Sequence, residues 1–337
     1  MLSARLLSSA ILIPLLALLV WADQQLGVSA ALFLLMCLGI ACRNTWEMHQ
    51  LLSGRIATPT AVLTTLLSSF VVISVWIPAL LADIPLSPAT QLAALGAALT
   101  FSFIAAITFA AFRFREPGGA LEQIGCTLII VGYCGGLTAA TAILRWQPSN
   151  DTGFFALLSL IVCVKAGDTT AYTFGRLWGS RKMAPHLSPG KTWMGLLGAV
   201  VGSCLGAWLW ICFPLPGYAS QIQPTSQLTV LGYGLTVGLA GLMGDLCESL
   251  IKRDCKQKDS ASLMPGFGGL LDIVDSPVFG PHRSCLVAAA APSGLTCRNT
   301  SGCQRKKTQQ VCLLRFFDSG TWPHHLRHGI RLRTHPE

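Results

Sequence analysis

The sequence predicts an all-α fold, a polytopic transmembrane helical bundle of eight complete spans followed by an incomplete ninth. Three observations predict it. Of the 337 residues, 52% are apolar and only 12% are charged. The mean hydropathy is +0.56, well above that of a soluble globular domain. Apolar stretches close to the ~20 residues that carry a helix across a ~30 Å hydrocarbon core recur along the chain.

These stretches fall at residues 6–22, 28–42, 58–82, 91–112, 121–144, 153–175, 193–214 and 228–251. In the first, Val20-Trp21-Ala22 resembles a signal-peptidase site, but the apolar run is long for a signal core, so an uncleaved span is expected. Threading the spans alternately from a cytoplasmic N-terminus places Arg5, Arg43, Arg55, Arg113, Arg115, Arg176, Arg181, Lys182, Lys191, Lys252, Arg253, Lys256 and Lys258 on the inner side and leaves Lys165 within a span. Arg145 is the lone basic residue of the outer loops, as the positive-inside rule requires. The outer loops carry Asp23, Asp83 and Asp151 instead.

Polar residues divide the chain. Residues 1–150 form an N-terminal transmembrane scaffold with nearly featureless spans, whose Gly, Ala, Ser and Thr suit close helix packing. Residues 151–280 form a second transmembrane half in which charges enter at or beside the spans, where they are costly and point to function. Residues 281–337 are an atypical basic tail. Most of the net charge of +9 sits in that tail, so the body offers no basic face for nucleic acid. The 13 cysteines include no C-x-x-C pair and read as small buried apolar side chains rather than disulfides or zinc ligands.

Three clusters carry the chemistry. In the first, Asp168, Tyr172, Gly175 and Gly179 share one helical stripe at the cytoplasmic end of the sixth span. A glycine-lined packing seam with Asp168 paired to Lys165 is the alternative reading of that stripe. The second is the inner loop Ser188-Pro189-Gly190-Lys191-Thr192, which can offer a lysine and backbone N–H groups to phosphate oxygens; an ordinary helix cap at Ser188 or Thr192 explains it equally well. The third begins with Asp245, Glu248, Ser249 and Lys252, which put two carboxylates, a hydroxyl and an ammonium on one helix face. It continues through Arg253, Lys258 and Asp259 to the glycine pair Gly268-Gly269 and to Asp272 and Asp275. Hard oxygen donors of this kind suit Mg²⁺ in the company of phosphate oxygens and water.

In this order the clusters resemble the phosphatidate cytidylyltransferase (CDP-diacylglycerol synthase) family. Ser249, Lys252, Arg253, Lys258 and Asp259 reproduce the start of the family signature, and Gly268, Gly269, Asp272 and Asp275 its end. The stretch Asp168 to Gly179 and the Ser188–Thr192 loop are similar to further family features. Three positions depart from the pattern: Phe267 replaces a usual histidine, Ile273 a usual arginine, and Met194 a usual glutamate.

The resemblance implies transfer of a cytidylyl group from CTP to phosphatidate, giving CDP-diacylglycerol and pyrophosphate for phospholipid biosynthesis. It implies Mg²⁺ held by Asp245, Asp272 and Asp275, anionic phosphates neutralised by Lys191, Lys252 and Arg253, and hydrogen bonds from Ser188 and Ser249. Asp168, Tyr172, Thr192, Glu248, Lys258, Asp259, Gly268 and Gly269 would complete the substrate-binding set. The expected setting is a bacterial-type inner membrane with the site facing the cytoplasm, membrane lipids around it, and a homodimer. Two other classes are weighed: a CTP-dependent lipid kinase shares the location and metal chemistry, whereas a small-solute transporter would bind at mid-membrane between repeats.

After Asp275 the chain changes character. Pro281-His282-Arg283 interrupts the ninth span, and Leu286 to Ala291 is too short to cross. A basic tail attracted to anionic lipid, a small metal module and a shifted reading frame are the three readings. Cys297, Cys303 and Cys312 lack zinc spacing with His324 or His325, and the frameshift is preferred; it implies a missing last helix and an inactive family member.

Overall fold

A computed structural model describes residues 19, 22–23, 27–53, 60–81, 87–146, 153–212, 226–258, 260–261 and 269–272. All of these belong to one unit, Met1–Ser293. The expected signal-like site, Asp259, Phe267, Gly268, Ile273, Asp275, the ninth span and the 281–337 tail lie outside the described residues.

Eight helices follow a short 3-10 turn at Gly27–Ser29 among the described residues. They are α1 (Ala31–Leu52), α2 (Ala61–Ser74), α3 (Ile77–Leu80), α4 (Pro88–Arg113), α5 (Ala120–Trp146), α6 (Gly153–Trp178), α7 (Trp193–Cys212) and α8 (Gln227–Asp254). Helices α4 to α8 are each long and apolar enough to cross a membrane, which makes the chain an integral membrane protein. That is five spans among the described residues, against eight expected. The 58–82 stretch divides into α2 and the short α3, separated by a turn at Val75-Trp76. Pro78 accounts for the break, because it has no N–H to donate to the carbonyl one turn earlier. Helix α1 continues ten residues past the expected end at 42, carrying Arg43 and Glu47 in its second half; the two pair at 2.8 Å.

The expected all-α class needs one correction. Between α6 and α7 the chain forms an antiparallel hairpin of β1 (Lys182–Ala184) and β2 (Ser188–Thr192), with Lys182 opposite Thr192 and Ala184 opposite Ser188. Pro189 and Gly190 lie within β2 rather than at its turn, which is acceptable because a two-stranded sheet has only edges.

The core of the first half is aromatic. Trp76 packs edge-on against Trp146 with ring centroids 5.0 Å apart, and Phe33 lies 5.8 Å from Trp76. Beside them Arg145 and Asp23, both fully buried, pair at 3.1 Å; Asp23 also accepts the Phe33 N–H at 3.0 Å. Removing either partner would strand the other charge in an apolar interior.

Helices α6, α7 and α8 pack through small residues. Side-chain carbons added at Gly198 or Gly202 of α7 would overlap Thr170 of α6, and one added at Gly234 of α8 would overlap the Cys204 backbone of α7. Close backbone approach of this sort is how helices associate where apolar burial against lipid gives no net drive.

Helix α8 ends in a Schellman-type turn: the Gln257 N–H donates to the Lys252 carbonyl at 2.8 Å, with Lys256 in the left-handed region at φ 56°. Glycine is the residue that adopts this conformation without steric cost. Lys256→Gly is therefore expected to stabilise the protein by up to about 1 kcal/mol, read as a higher midpoint of thermal unfolding in detergent with activity unchanged.

Candidate functional site

One cavity of about 660 Å³ opens between α6, the hairpin, α7, α8 and the 269–272 segment. Nine of the sequence-predicted residues line it: Asp168, Tyr172, Ser188, Lys191, Thr192, Asp245, Glu248, Lys252 and Asp272. They come from four separated stretches of chain, so their meeting is a property of the fold rather than of local sequence.

Each element places its residue for an identifiable reason. Asp245, Glu248 and Lys252 stand at i, i+3 and i+7 on the last two turns of α8 and so face one way. The hairpin carries Lys191 to the opposite wall, where its ammonium meets the Asp245 carboxylate at 2.8 Å and donates to the Leu242 carbonyl at 3.4 Å. Thr192 is buried and closes the hairpin by capping α7, accepting the Gly195 N–H on its hydroxyl at 3.0 Å. Gly175 and Gly179 leave room for that hydroxyl. The capping alternative for Thr192 and the Lys165–Asp168 pair, at 3.2 Å, are thus both present, at the wall of the same cavity.

Lys252 lies at the centre of the charged floor. Its ammonium sits 2.6 Å from Asp272 Oδ1 and 3.2 Å from the buried Glu248 carboxylate. The other Asp272 oxygen accepts three donors: Ser260 N–H at 3.0 Å, Ser260 Oγ–H at 2.8 Å and Gly269 N–H at 2.8 Å. Burial works against the ionised form of Asp272, but the Lys252 ammonium and the hydrogen bonds from Gly269 and Ser260 outweigh it and hold the carboxyl down at about 2.

Some predicted residues do not reach the cavity wall. Arg253 is exposed and donates to the Leu187 and Gln257 carbonyls at 3.3 and 3.2 Å, so it ties the hairpin turn to the end of α8. Consecutive helical residues point about 100° apart, and with Lys252 inward Arg253 turns out. Ser249 donates to Asp245 Oδ1 at 3.4 Å, Lys258 is exposed, and Gly269 contributes its N–H to Asp272. Met194, at the start of α7, is half-buried outside the lining.

Sequence reasoning left out two cations of the wall, Arg176 and Lys182. Five basic side chains face four carboxylates there. Lys165, Lys191 and Lys252 each pair with an acid, which leaves Arg176 and Lys182 without a carboxylate partner among the described residues. Arg176 donates to the Tyr172 hydroxyl at 3.1 Å. The signal was available in the positive-inside pattern, which collects basic residues at this end without saying which of them face inward. Also left out was Glu47, from the half read as scaffold: it is fully buried and accepts the Leu270 and Leu271 N–H groups, each at 3.0 Å.

Of the expected magnesium ligands Asp245, Asp272 and Asp275, the last lies outside the described residues. Asp272 has both oxygens occupied by donors, Asp245 is paired with Lys191, and among the described residues no three His, Cys, Asp or Glu side chains are placed to share a metal ion.

Apolar crossing helices around a cavity lined by ammonium and carboxylate groups define a membrane protein with a charged site set among its spans. The model of the Cytidylyltransferase family matches residues 3–287, and the chain belongs to that family. It is 38% identical over 128 residues to a phosphatidate cytidylyltransferase of Haemophilus influenzae, covering 37% of this chain and 42% of that protein. It is 36% identical over 173 residues to one of Synechocystis, covering 50% and 52%. An uncharacterized Escherichia coli protein, YnbB, is 39% identical over 168 residues, covering 49% and 53%. The chain thus spans about half the length of the curated relatives it matches.

Proposed function

We propose that the cavity binds CTP and phosphatidate at the inner leaflet and transfers the cytidylyl group to the lipid, forming CDP-diacylglycerol. The observation that carries this reading is the convergence of Lys191 and Lys252, each fixed by a carboxylate, in one cavity among apolar helices. The two substrates repel each other, so catalysis has to come from screening and positioning rather than from a side-chain nucleophile. A lipid phosphate oxygen attacks the α-phosphorus of CTP. The new P–O bond forms as the bond to the bridging oxygen breaks, and pyrophosphate leaves with that electron pair.

In this reading Lys191 and Lys252 hold the phosphates, and Asp245, Glu248 and Asp272 keep those ammonium groups aimed. Arg176 and Lys182 supply further positive charge at the wall. Magnesium belongs to the proposal through donor chemistry: Asp245, with its side chain 44% exposed, would exchange its Lys191 partner for a divalent ion, which would neutralise phosphate charge when bound. A cytoplasmic orientation of this face follows from the positive-inside pattern. The names of the relatives from Haemophilus influenzae and Synechocystis favour this activity.

Membranes containing the protein, supplied with phosphatidate, magnesium and CTP labelled in the cytosine ring, are expected to incorporate label into lipid. Label entering lipid only from the γ-phosphate would replace this reading with the lipid kinase.

A further inference from the structure

We propose that Glu47 is a positioning residue for the site, acting through the 269–272 segment on Asp272 and Lys252; this rests on the cytidylyl-transfer reading only for its effect on turnover. Glu47 belongs to α1, and apart from Arg43 its partners lie more than 200 positions later in the chain. Its Oε1 accepts the Leu270 N–H at 3.0 Å and the Arg43 Nε–H at 2.8 Å. Its Oε2 accepts the Leu271 N–H at 3.0 Å and lies 3.1 Å from Ser260 Oγ, whose one proton is shared between Glu47 and Asp272. Three N–H donors and that hydroxyl surround one carboxylate, and the side chain is fully buried. A carboxylate accepts through both oxygens, whereas an amide must turn an NH₂ toward one pair of these donors.

The consequence runs directly to the cavity. Ser260 Oγ lies within hydrogen-bond distance of both Glu47 and Asp272. The next residue after Leu271 is Asp272, whose Oδ1 holds the Lys252 ammonium at 2.6 Å. Glu47 thereby fixes the backbone from which Asp272 reaches Lys252. A side chain at Gly269 would collide with the Glu47 carboxylate and with Ser260 Oγ, so the segment seats against α1 only because that position is glycine. Arg43 is 33% exposed and neutralises Glu47 from the outside.

The test pairs a structural readout with a kinetic one. In purified protein, Glu47→Gln is expected to speed hydrogen exchange in peptides covering residues 260–272 by tenfold or more, roughly the loss of one strong hydrogen bond, while peptides from α7 keep their protection. In the CTP and phosphatidate assay it is expected to lower kcat by about 10- to 100-fold, the cost of misplacing a catalytic group by about 1 Å, with a smaller change in KM for CTP. Glu47→Asp, which keeps the charge on a shorter arm, should restore part of both. Unchanged exchange in 260–272, or acceleration equal in α7, would overturn the positioning role. Faster exchange in 260–272 with a wild-type protein that makes no CDP-lipid would leave Glu47 as the anchor of the segment and overturn the cytidylyl-transfer reading instead.

Discussion

Asp272→Asn is expected to reduce cytidylyl transfer by at least about 100-fold, the scale on which a preorganised charged group in a water-poor site contributes to a reaction between anions. The geometry makes the isosteric change severe. Oδ1 faces an ammonium at 2.6 Å, and Oδ2 faces two N–H groups and a hydroxyl. Either orientation of an amide sets its NH₂ against donors. Lys252 would keep Glu248 as its remaining carboxylate partner among the described residues and lose its aim toward the cavity. The same variant should lose stability. The Asp272 carboxyl is held at about 2, below its ordinary 3.8; a depressed carboxylate stabilises the fold above the unfolded-state value, and the contribution is lost as pH falls from about 4 through about 2. At neutral pH that amounts to about 2 kcal/mol. Initial rates at saturating CTP, together with unfolding midpoints between pH 2 and pH 7, check both parts. The wild type should lose its advantage over Asp272→Asn across that acid window, and full turnover by the variant would remove Asp272 from the site.

The sequence-predicted residues that meet at the cavity share a helix face or a tight loop, and those whose place was not foreseen depend on contacts across the chain. Asp245, Glu248 and Lys252 follow from helical periodicity alone. Assigning Lys252 and Arg253 jointly to the phosphates did not separate them by direction: the two side chains leave the helix about 100° apart, and Arg253 turns to the Leu187 and Gln257 carbonyls. Glu47 gave no local sign of its role. As an i, i+4 partner of Arg43 it looks like an ordinary pair past the end of an apolar run, and only the arrival of residues 269–271 against α1 shows why the helix continues to Leu52. The hairpin was equally concealed. Its strands are short and polar, without the apolar alternation that marks a half-buried strand, and Pro189-Gly190 suggested a turn where the ladder in fact continues.

The spans show the same division. Hydropathy located α4 to α8 closely, since length and apolarity are what the bilayer selects. It overstated the 58–82 stretch, where no charge interrupts the sequence but Pro78 breaks the helix. Which glycines matter within a span was beyond any composition argument: Gly232 and Gly234 stand two positions apart in α8 and meet wholly different surroundings.

Those two glycines support the second large effect. Gly234→Ala is expected to cost about 2–3 kcal/mol, in the range of overpacking a close-packed interior, and to reduce the yield of folded protein. Its added carbon would overlap the Cys204 Cα and lie 2.8 Å from both the Cys204 nitrogen and the Ser203 carbonyl oxygen. These are backbone atoms that cannot rotate aside, so α8 must move away from α7. Because α8 carries Asp245, Glu248 and Lys252 while the hairpin entering α7 carries Lys191, that displacement separates the Lys191–Asp245 pair as well. Gly232→Ala is the control. Nothing lies within 4 Å of the added carbon there, and replacing a mid-helix glycine by alanine should be neutral or stabilise the helix by up to about 1 kcal/mol. Unfolding midpoints in detergent, with the fraction surviving gel filtration, measure both. If Gly234→Ala matched Gly232→Ala, the α7–α8 contact would be too loose to hold the two walls of the cavity in register.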